Sequence, residues 1–242
     1  MRANKSPGGY FSAHTAEYAS LTASRPEFRE RYLLLAQLIQ KHAAVRGGTP
    51  KCVDLGCGTG VLTHHAASLG YETLGIDGSE DMISVAVKET PPEVDSRVRY
   101  RRLELPLSEV ELEPLKQKFE LALLSSVIEY VEDDFAVIDQ CREMLAVGGV
   151  LIASFPNRRS VYRRLERRLR QPLGRAGSYL SVHLHTYDTD EIAAALTARG
   201  LEVRETRYFA LPLQRVLGAA IRSRPRWLAT MFVVAAEKRE AS

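Results

Sequence analysis

The feature that most constrains the fold is a glycine-rich stretch, Lys51 to Gly60, with the sequence KCVDLGCGTG. Cys52 to Leu55 has the character of the end of a buried strand, and Gly56, Gly58 and Gly60 follow at alternate positions. Glycines spaced in this way leave one side of a turn without any Cβ, so a ligand can lie against bare backbone there. The first N–H groups of a helix that starts after the turn would face the same ligand. The stretch therefore predicts a strand, a tight turn and a helix that bind a nucleotide-like cofactor.

The spacing of the glycines separates two kinds of cofactor. A dinucleotide-binding turn has the form G-x-G-x-x-G, and its third glycine would fall at position 61, which is Val61. Residues Val53 to Gly60 instead follow the pattern (hydrophobic)-D-x-G-x-G-x-G at every position. This pattern resembles the first motif of the class I methyltransferases, which use S-adenosylmethionine. The resemblance implies that the cofactor site includes Asp54, Gly56, Cys57, Gly58 and Gly60.

A second acidic residue supports the same interpretation. Tyr71 to Ile76 is apolar enough for the neighbouring strand, and Asp77 follows it. A carboxylate at the tip of a strand can accept both hydroxyls of a ribose. Residues Gly75 to Ser79 are similar to the second motif of the same family, which implies that Asp77 takes this role and that Gly78 lies beside it. The resemblance also implies that Met82, early in the next helix, packs on the adenine.

Two further strand ends are expected at the cofactor site. Val98 to Leu103 alternates weakly and predicts a third strand that leads to Glu104. Family members usually have an aspartate here that accepts from the adenine amino group, so Glu104 either takes that role or is a plain surface residue. Phe119 to Ser125 is a short apolar run that predicts a buried fourth strand. By resemblance, the residues after these strands also line the site: Leu105, Ser125 and Ser126.

The segment after the fourth strand, Ser125 to Val131, bears on both metal binding and substrate class. Its sequence SSVIEYV is similar to the S-x-x-L-E-H-V segment of small-molecule methyltransferases such as those of quinone biosynthesis. Some of those relatives offer a Glu, Glu, His set that can hold a divalent metal, whereas this chain has Ser126, Glu129 and Tyr130. One carboxylate makes a poor metal site, so we expect no metal. The segment also lacks the N-P-P-Y or D-P-P-Y pattern of amino-methylating DNA enzymes, which disfavours methylation of nucleic acid.

The rest of the chain continues the alternation of strands and helices. A helix from Asp133 to Ala146, ended by Gly148 and Gly149, precedes a strand from Val150 to Phe155, and later segments predict the last helix and two strands: Asp188 to Arg199, Leu201 to Phe209 and Trp227 to Ala236. Such alternation predicts an α/β fold with a parallel sheet and helices on both faces. The resemblance, which covers roughly Lys51 to Lys238, adds a Rossmann-like seven-stranded sheet with an antiparallel last strand.

Two helical regions are expected on the substrate side. Residues 1–46 are predicted to form an N-terminal helical lid, with an amphipathic helix from Phe28 to Val45. Tyr10 and Tyr18 in this lid either face the substrate or patch the core. The resemblance implies that residues 47–242 form the methyltransferase domain, with a helical insertion expected at about 156–186. Together with Tyr130, these two regions are expected to surround the acceptor, because ligands bind beyond the carboxyl ends of parallel strands.

The insertion is strongly basic. Between Asn157 and Arg175 lie eight arginines and one acid, Glu166, with an apolar stripe that predicts an amphipathic helix: Val161, Tyr162, Leu165 and Leu169. Three interpretations remain open: a solvated face, a lid that binds an anionic or carrier-bound acceptor, or a helix at a membrane surface. Arg158 and Arg159, at its start, are predicted to face the acceptor.

The catalytic residues are less constrained than the cofactor site. His183 and His185 close the insertion, and a histidine near its neutral pKa can act as the general base for a hydroxyl acceptor. His14, in the lid, is a third candidate. Methyl transfer also proceeds by positioning alone, so a base is optional.

The length, hydrophobic content, cysteine count and net charge of the chain limit the class of protein. The chain has 242 residues, of which 45% are hydrophobic, and its longest apolar run, Leu228 to Ala236, is far below the roughly 20 residues of a membrane helix. Met1 to Gly9 is polar, so no secretory signal is expected. Three cysteines without a C-x-x-C pair indicate reduced thiols and a cytoplasmic location. The net charge of +3 is too small to indicate nucleic acid by itself.

These features predict an enzyme that transfers the methyl group of S-adenosylmethionine to an O, N or C nucleophile of a small-molecule acceptor. Two other classes stay open. A tRNA or rRNA methyltransferase would use the arginine-rich helix as an electrostatic footprint. A non-catalytic partner subunit would keep the cofactor site without turnover.

Overall fold

The computed structural model describes residues 26–42, 48–170, 184–211 and 226–240. Within these residues the strands are β1 (Lys51–Leu55), β2 (Glu72–Asp77), β3 (Val98–Arg102), β4 (Phe119–Leu124), β5 (Leu145–Pro156), β6 (Leu201–Phe209) and β7 (Met231–Lys238). They form one sheet with the order β3-β2-β1-β4-β5-β7-β6. The first five strands are parallel, and β7 lies antiparallel between β5 and β6. The predicted α/β class and antiparallel last strand are confirmed.

The strand order places a crevice at the end of β1. The chain runs outward from β1 through β2 to β3, and then returns to the other side of β1 to add β4 and β5. Connections therefore leave β1 and β4 in opposite directions, which opens a space at their carboxyl ends. Any ligand bound in the usual place for this kind of sheet would contact the residues after Leu55, Asp77 and Leu124.

Helices cover both faces of this sheet. They are α1 (Pro26–Lys41), α2 (Val61–Ser68), α3 (Glu80–Lys88), α4 (Glu109–Leu112), α5 (Asp134–Met144), α6 (Val161–Arg170) and α7 (Thr189–Ala198). Successive residues of β4 point to opposite faces of the sheet. Leu121 shares a core cluster with Leu35 of α1, and Ala122 shares another with Val137 of α5. Because β4 is buried on both faces of the sheet, both sets of side chains are apolar, and its sequence is a continuous apolar run. Among the helices that the structure describes, none is long and apolar enough to cross a membrane.

Helix α1 packs directly on the sheet. Leu34, Leu35, Leu38 and Ile39 are buried and lie in one cluster with strand residues such as Cys52. The part of the predicted lid that the structure describes therefore shares the core of the main domain. The lid boundary at residue 46, like Tyr10, Tyr18 and His14, lies outside the described residues and stays a prediction.

Four predicted element boundaries are wrong: the end of the helix before β5, the start of β5, the start of β7 and the end of α1. The helix before β5 ends at Met144, and Gly148 and Gly149 lie inside the strand instead of ending the helix. A Cβ on Gly149 would come within 2.9 Å of the carbonyl oxygen of Phe119, so the close approach of β4 requires glycine there. β7 begins at Met231 instead of Trp227, and α1 ends at Lys41 instead of Val45.

Candidate functional site

The glycine turn after β1 is held against the neighbouring strand by backbone hydrogen bonds. The N–H groups of Gly56 and Cys57 both donate to the carbonyl oxygen of Ile76, over 2.7 and 3.0 Å. The Sγ of Cys57 lies 3.1 Å from the position that a Cβ on Gly75 would take, so this thiol also packs toward β2. Burial raises the pKa of the Cys57 thiol well above its ordinary value, so it stays protonated at neutral pH.

The three glycines of the turn serve different purposes. All adopt left-handed φ angles, +67° at Gly56, +54° at Gly58 and +79° at Gly60. A Cβ would lie 2.2 Å from Cγ2 of Val127 at Gly56, and 2.4 Å from the hydroxyl of Tyr100 at Gly60. At Gly58 it would meet no atom within 4 Å. Gly56 and Gly60 are therefore required by packing, whereas Gly58 presents the bare backbone of the turn to open space.

Asp77 at the tip of β2 is tied to this turn. Its Oδ2 accepts from the N–H of Gly58 over 2.9 Å, and its Oδ1 accepts from the N–H of Ser79 over 2.8 Å. Each carboxylate oxygen has a further accepting lone pair, so both can still take a hydroxyl from a ligand. Burial raises the pKa of Asp77, while these two N–H donors oppose that rise. The structure thus brings Asp77 and Gly58 together, as the sequence predicts for a ribose site.

Asp54 lies inside the fold, beside the turn. Its side chain is 2% exposed, and its Oδ2 accepts from the hydroxyl of Thr63 over 2.7 Å. Because Thr63 belongs to α2, this bond fixes the helix that follows the glycines relative to β1. Burial raises the pKa of Asp54 to about 7. Its contact with a cofactor stays a prediction, and the structure gives it a role in holding the turn.

The adenine side of the predicted site is assembled near Gly78. Oε2 of Glu104 lies 2.6 Å from where a Cβ on Gly78 would be, and the charge of Glu104 contributes to the raised pKa of Asp77. Glu104 is exposed, Leu105 is half-buried and Met82 is buried in the first turn of α3. Contacts of Glu104, Leu105 and Met82 with a cofactor stay predictions. Glu104 lies near enough to Asp77 for its charge to affect the pKa of Asp77.

The loop after β4 adjoins the glycine turn through Val127, which occupies the space above Gly56. Ser126 has a left-handed φ of 54°, which is uncommon for a residue with a side chain and is found often at functional sites. Its N–H donates to Oγ of Ser154 over 2.8 Å, and its Oγ accepts from Nη1 of Arg31 over 2.7 Å. The half-buried Ser125 and Ser126 therefore stand at the crevice with a cation from α1 beside them.

Glu129 lies in the 3-10 turn Ile128–Tyr130, and its sequence context indicates only a lone carboxylate that makes a poor metal site. Its side chain is 1% exposed, and its Oε2 is buried without a hydrogen-bond partner among the described residues. Burial raises the pKa of Glu129 to about 7, although Arg31 and Arg163 act in the opposite direction. The sequence signal for this burial is that Glu129 is the sole acid in the largely apolar segment from Ser125 to Val131. Tyr130 follows it and is half-buried.

The predicted substrate-side arginines have partners within the fold. Arg158 pairs with Glu191, and Arg159 pairs with Asp188 at the start of α7. These pairs join the beginning of the insertion to α7, so the two charges are balanced internally. Contact of Arg158 or Arg159 with an acceptor stays a prediction.

Of the three candidate histidine bases, His14 and His183 lie outside the described residues. His185 is described: its Nε2 is 3.1 Å from the carbonyl oxygen of Val131, and its Nδ1 is 4.0 Å from Oδ2 of Asp134. A proton on Nε2 would donate to Val131 and leave Nδ1 as an acceptor. Among the residues that the structure describes, no three histidine, cysteine or acidic side chains are grouped to hold a metal.

Comparison with known proteins agrees with this geometry. The family described as "Methyltransferase domain" matches residues 27–206. The ubiquinone biosynthesis O-methyltransferase of Methylococcus capsulatus is 34% identical over 125 residues, which cover 52% of this chain and 50% of that protein. The same enzyme of Acinetobacter baylyi is 31% identical over 120 residues, covering 50% and 49%. The chain therefore spans about half the length of the curated relatives it matches.

Solved structures show the same fold at lower identity. Magnesium protoporphyrin IX methyltransferase from Synechocystis PCC 6803 with bound SAH aligns with a TM-score of 0.69 at 15% identity, over 96% of this chain and 97% of that one. A SAM-dependent methyltransferase from Thermotoga maritima aligns with a TM-score of 0.64 at 20% identity, over 96% and 99%. With the family match spanning well over half of the sequence, the chain belongs to the methyltransferase-domain family that its glycine turn indicates.

Proposed function

We propose that this protein transfers the methyl group of S-adenosylmethionine to a nucleophile of a small-molecule acceptor, and that the nucleophile is an oxygen. The observation that carries the proposal is the pairing of Gly58 with Asp77: a bare stretch of backbone beside a carboxylate whose two oxygens are already oriented. The relatives named as O-methyltransferases support the choice of oxygen over nitrogen or carbon.

The residues present fit the cofactor. Open space at Gly58 leaves room for a ligand where a Cβ would otherwise project. Asp77 offers two accepting oxygens to ribose hydroxyls, and Glu104 lies beside Gly78 where it can accept from an adenine amino group. When bound, S-adenosylmethionine supplies an electrophilic methyl group on a sulfonium.

The chain itself supplies alignment and exclusion of water. Well-oriented reactants gain about 7–11 kcal/mol relative to free encounter, so correct positioning can provide much of the catalysis. Val127 packs on Gly56, which places the loop from Ser125 to Tyr130 directly beside the cofactor turn. Arg31, held by the Oγ of Ser126, carries a positive charge to the same point and favours an acceptor oxygen that becomes negative.

We further propose that the acceptor is lipophilic and is taken from an anionic membrane surface. Val161 and Leu165 of α6 are 50% and 53% exposed. Trp227 is 58% exposed, and its backbone carbonyl oxygen accepts from the N–H of Val161 over 2.8 Å, so these apolar side chains belong to neighbouring segments. An amphipathic basic helix with exposed aliphatic and tryptophan side chains has the character of an interfacial helix. A carrier-bound acceptor is the alternative on the small-molecule side.

Binding to lipid vesicles tests the proposed contact with an anionic membrane surface. The protein is expected to co-sediment with phosphatidylglycerol vesicles and not with phosphatidylcholine vesicles. Leu165→Gln should reduce the bound fraction, whereas Val110→Gln, which alters an exposed apolar residue of α4, should not. Equal sedimentation of wild type and Leu165→Gln, or none with either lipid, would refute a membrane-proximal acceptor.

The reaction itself is tested by a screen of acceptors for release of S-adenosylhomocysteine. The panel contains phenols, catechols, amines and quinone precursors, with total RNA in parallel. Release is expected with hydroxylated aromatic acceptors. Release with RNA alone would establish the nucleic-acid alternative, and tight binding of S-adenosylhomocysteine without turnover on any acceptor would favour a partner subunit.

A cytoplasmic location is part of the proposal. Cys52, Cys57 and Cys141 are all free thiols, and Cys52 and Cys141 are buried. Free thiols of this kind are usual in reducing compartments.

A further inference from the structure

We propose that Glu129 and Arg163 form the subsite for an aromatic hydroxyl of the acceptor, in which Arg163 Nε donates to the hydroxyl oxygen and Glu129 Oε2 takes its proton. This proposal rests on the proposed methyl transfer to oxygen. It adds the residues that recognise the reacting hydroxyl of the aromatic acceptors expected above.

The two side chains present complementary polar atoms that have no partner. Oε2 of Glu129 is an acceptor, Nε of Arg163 is a donor, and both are buried without a hydrogen bond among the described residues. Buried polar atoms are almost always paired in native proteins, so such a pair indicates a missing ligand or water. A hydroxyl group is both donor and acceptor, so it has the chemistry to pair with both atoms, and Arg163 is near enough to Glu129 to act on its charge.

The position of Glu129 suits the reacting end of an acceptor. Its turn continues the loop whose Val127 packs on Gly56, so it adjoins the cofactor turn. The N–H of Leu184, where the chain returns from the insertion, donates to the carbonyl oxygen of Glu129 over 2.7 Å. With Arg31 from α1 and Arg163 from α6 both acting on its charge, Glu129 stands where all three substrate-side regions meet.

The electrostatics favour a phenol or catechol over an aliphatic alcohol. Burial raises the pKa of Glu129 to about 7. A phenol with a pKa of about 10, as in tyrosine, lies within reach of such a base, whereas an aliphatic alcohol is a far weaker acid. The charged and titratable groups that face Glu129 are Arg31, Arg163 and Tyr187, and Tyr187 in turn donates to Asp134. The two arginines keep a fraction of Glu129 ionised at neutral pH.

The chemical step is balanced by these groups. The O–H bond of the acceptor breaks and its proton passes to Glu129 Oε2, while the oxygen forms a bond to the methyl carbon. The C–S bond of the methyl donor breaks, and its electron pair stays on sulfur. The products are the methyl ether, S-adenosylhomocysteine and a protonated Glu129, which returns its proton to solvent.

Binding of nitrocatechol tests the subsite, because the absorbance of this probe reports ionisation of its hydroxyl. Wild type should bind it in the presence of S-adenosylhomocysteine. Glu129→Gln and Arg163→Gln should each weaken binding by about tenfold or more. The bound probe should ionise at a pH about one unit or more higher in wild type than in Glu129→Gln, because a neighbouring carboxylate opposes a second negative charge.

Two matched variants control for general effects of charge. Glu132→Gln alters an exposed acid of the same loop, and Arg164→Gln alters an exposed arginine of the same helix. Both should bind the probe and S-adenosylhomocysteine as wild type does. Thermal melting and S-adenosylhomocysteine titration establish that Glu129→Gln and Arg163→Gln are folded, and each variant tests the subsite independently of the other.

Three results would overturn the proposal. They are failure of wild type to bind the probe while it still binds S-adenosylhomocysteine, unchanged probe affinity in both test variants, and an unchanged ionisation of the bound probe in Glu129→Gln. Failure of wild type to bind S-adenosylhomocysteine would instead reject the proposed function itself, so the two failures are distinguishable.

Discussion

The backbone N–H of Gly58 donates to Oδ2 of Asp77 over 2.9 Å, which joins the glycine turn of β1 to the tip of β2. Ser79 donates to the other oxygen, so the carboxylate has one orientation set by two backbone groups. A carboxylate held in this way loses little freedom when a ligand binds, which improves affinity. The carboxylate of the proposed cofactor site is thus pre-organised by the same turn that presents the bare backbone.

The turn glycines should respond differently to alanine. At Gly60 the new methyl group meets the Tyr100 hydroxyl at 2.4 Å and φ is +79°, so we expect a loss of about 2–5 kcal/mol of unfolding free energy from strain and overpacking. At Gly58 only the backbone conformation is strained, at a cost of about 1–2 kcal/mol. Urea denaturation measures both changes.

Cofactor binding by the Gly58→Ala variant shows whether this glycine is needed for ligand contact as well as for backbone conformation. Gly58→Ala is expected to stay folded and yet lose affinity for S-adenosylhomocysteine, because the methyl group enters the open space of the turn. Unchanged affinity in folded Gly58→Ala would show that the ligand does not lie against this part of the backbone.

Stability should fall as the pH rises through neutrality. Burial raises the folded-state pKa of Glu129 from 4.5 to about 7, so the folded state binds more protons than the unfolded state between these values. Its contribution is complete below pH 4.5 and is lost as pH rises through 7, by up to about 3 kcal/mol. Asp54, with a pKa raised from 3.8 to about 7, acts in the same direction.

Glu129→Gln isolates one of these two groups. Urea denaturation at about pH 5 and about pH 8 should show a smaller loss of stability in the variant than in wild type. Parallel pH dependences for the two proteins would mean that Glu129 titrates near its ordinary pKa and is not buried as a carboxylate.

Asn157 should be important for stability at the start of the insertion. It is 1% exposed, its Nδ2 donates to the carbonyl oxygens of Arg226 and Ala229 over 2.7 and 2.8 Å, and its Oδ1 accepts from the N–H of Arg159 over 3.0 Å. Asn157→Ala leaves these buried groups without partners and should cost about 2–4 kcal/mol in thermal or chemical denaturation.

The neighbouring Arg158 is the control for this prediction. It forms an exposed ion pair with Glu191, so Arg158→Gln should change stability by less than about 1 kcal/mol. Similar effects of the two substitutions would contradict the structural role given to the Asn157 hydrogen bonds.

The glycine turn and its contact with the tip of β2 were predictable because their signals are local. The glycine turn and Asp77 depend on backbone conformation and on the end of one strand, and β6 has the predicted bounds of Leu201–Phe209. β5 was predicted to begin too late because its first residues are ordered by tertiary pairing: Leu145 lies opposite Phe119 of β4. The local sequence around Gly148 and Gly149 indicates the end of a helix and does not indicate the pairing of β5 with β4.

The acceptor side depends on contacts between distant segments. Arg31 and Ser126 are 95 residues apart in the chain and meet only because α1 packs on the sheet. The pairing of Arg158 with Glu191 likewise needs the insertion and α7 to be adjacent. Sequence alone predicts that Arg158 faces the substrate but does not show that the fold pairs it with Glu191, and for the same reason it missed the buried position of Glu129.

Calorimetric titration of S-adenosylhomocysteine into Asp77→Ala, beside wild type and Asp81→Ala, tests the cofactor assignment most directly. Asp81 is an exposed acid in the first turn of α3 and serves as the matched control. Wild type and Asp81→Ala should bind S-adenosylhomocysteine with similar affinity, and folded Asp77→Ala should show no measurable binding. Near-normal affinity in Asp77→Ala would contradict the ribose contact, and absence of binding in wild type would contradict the cofactor site as a whole.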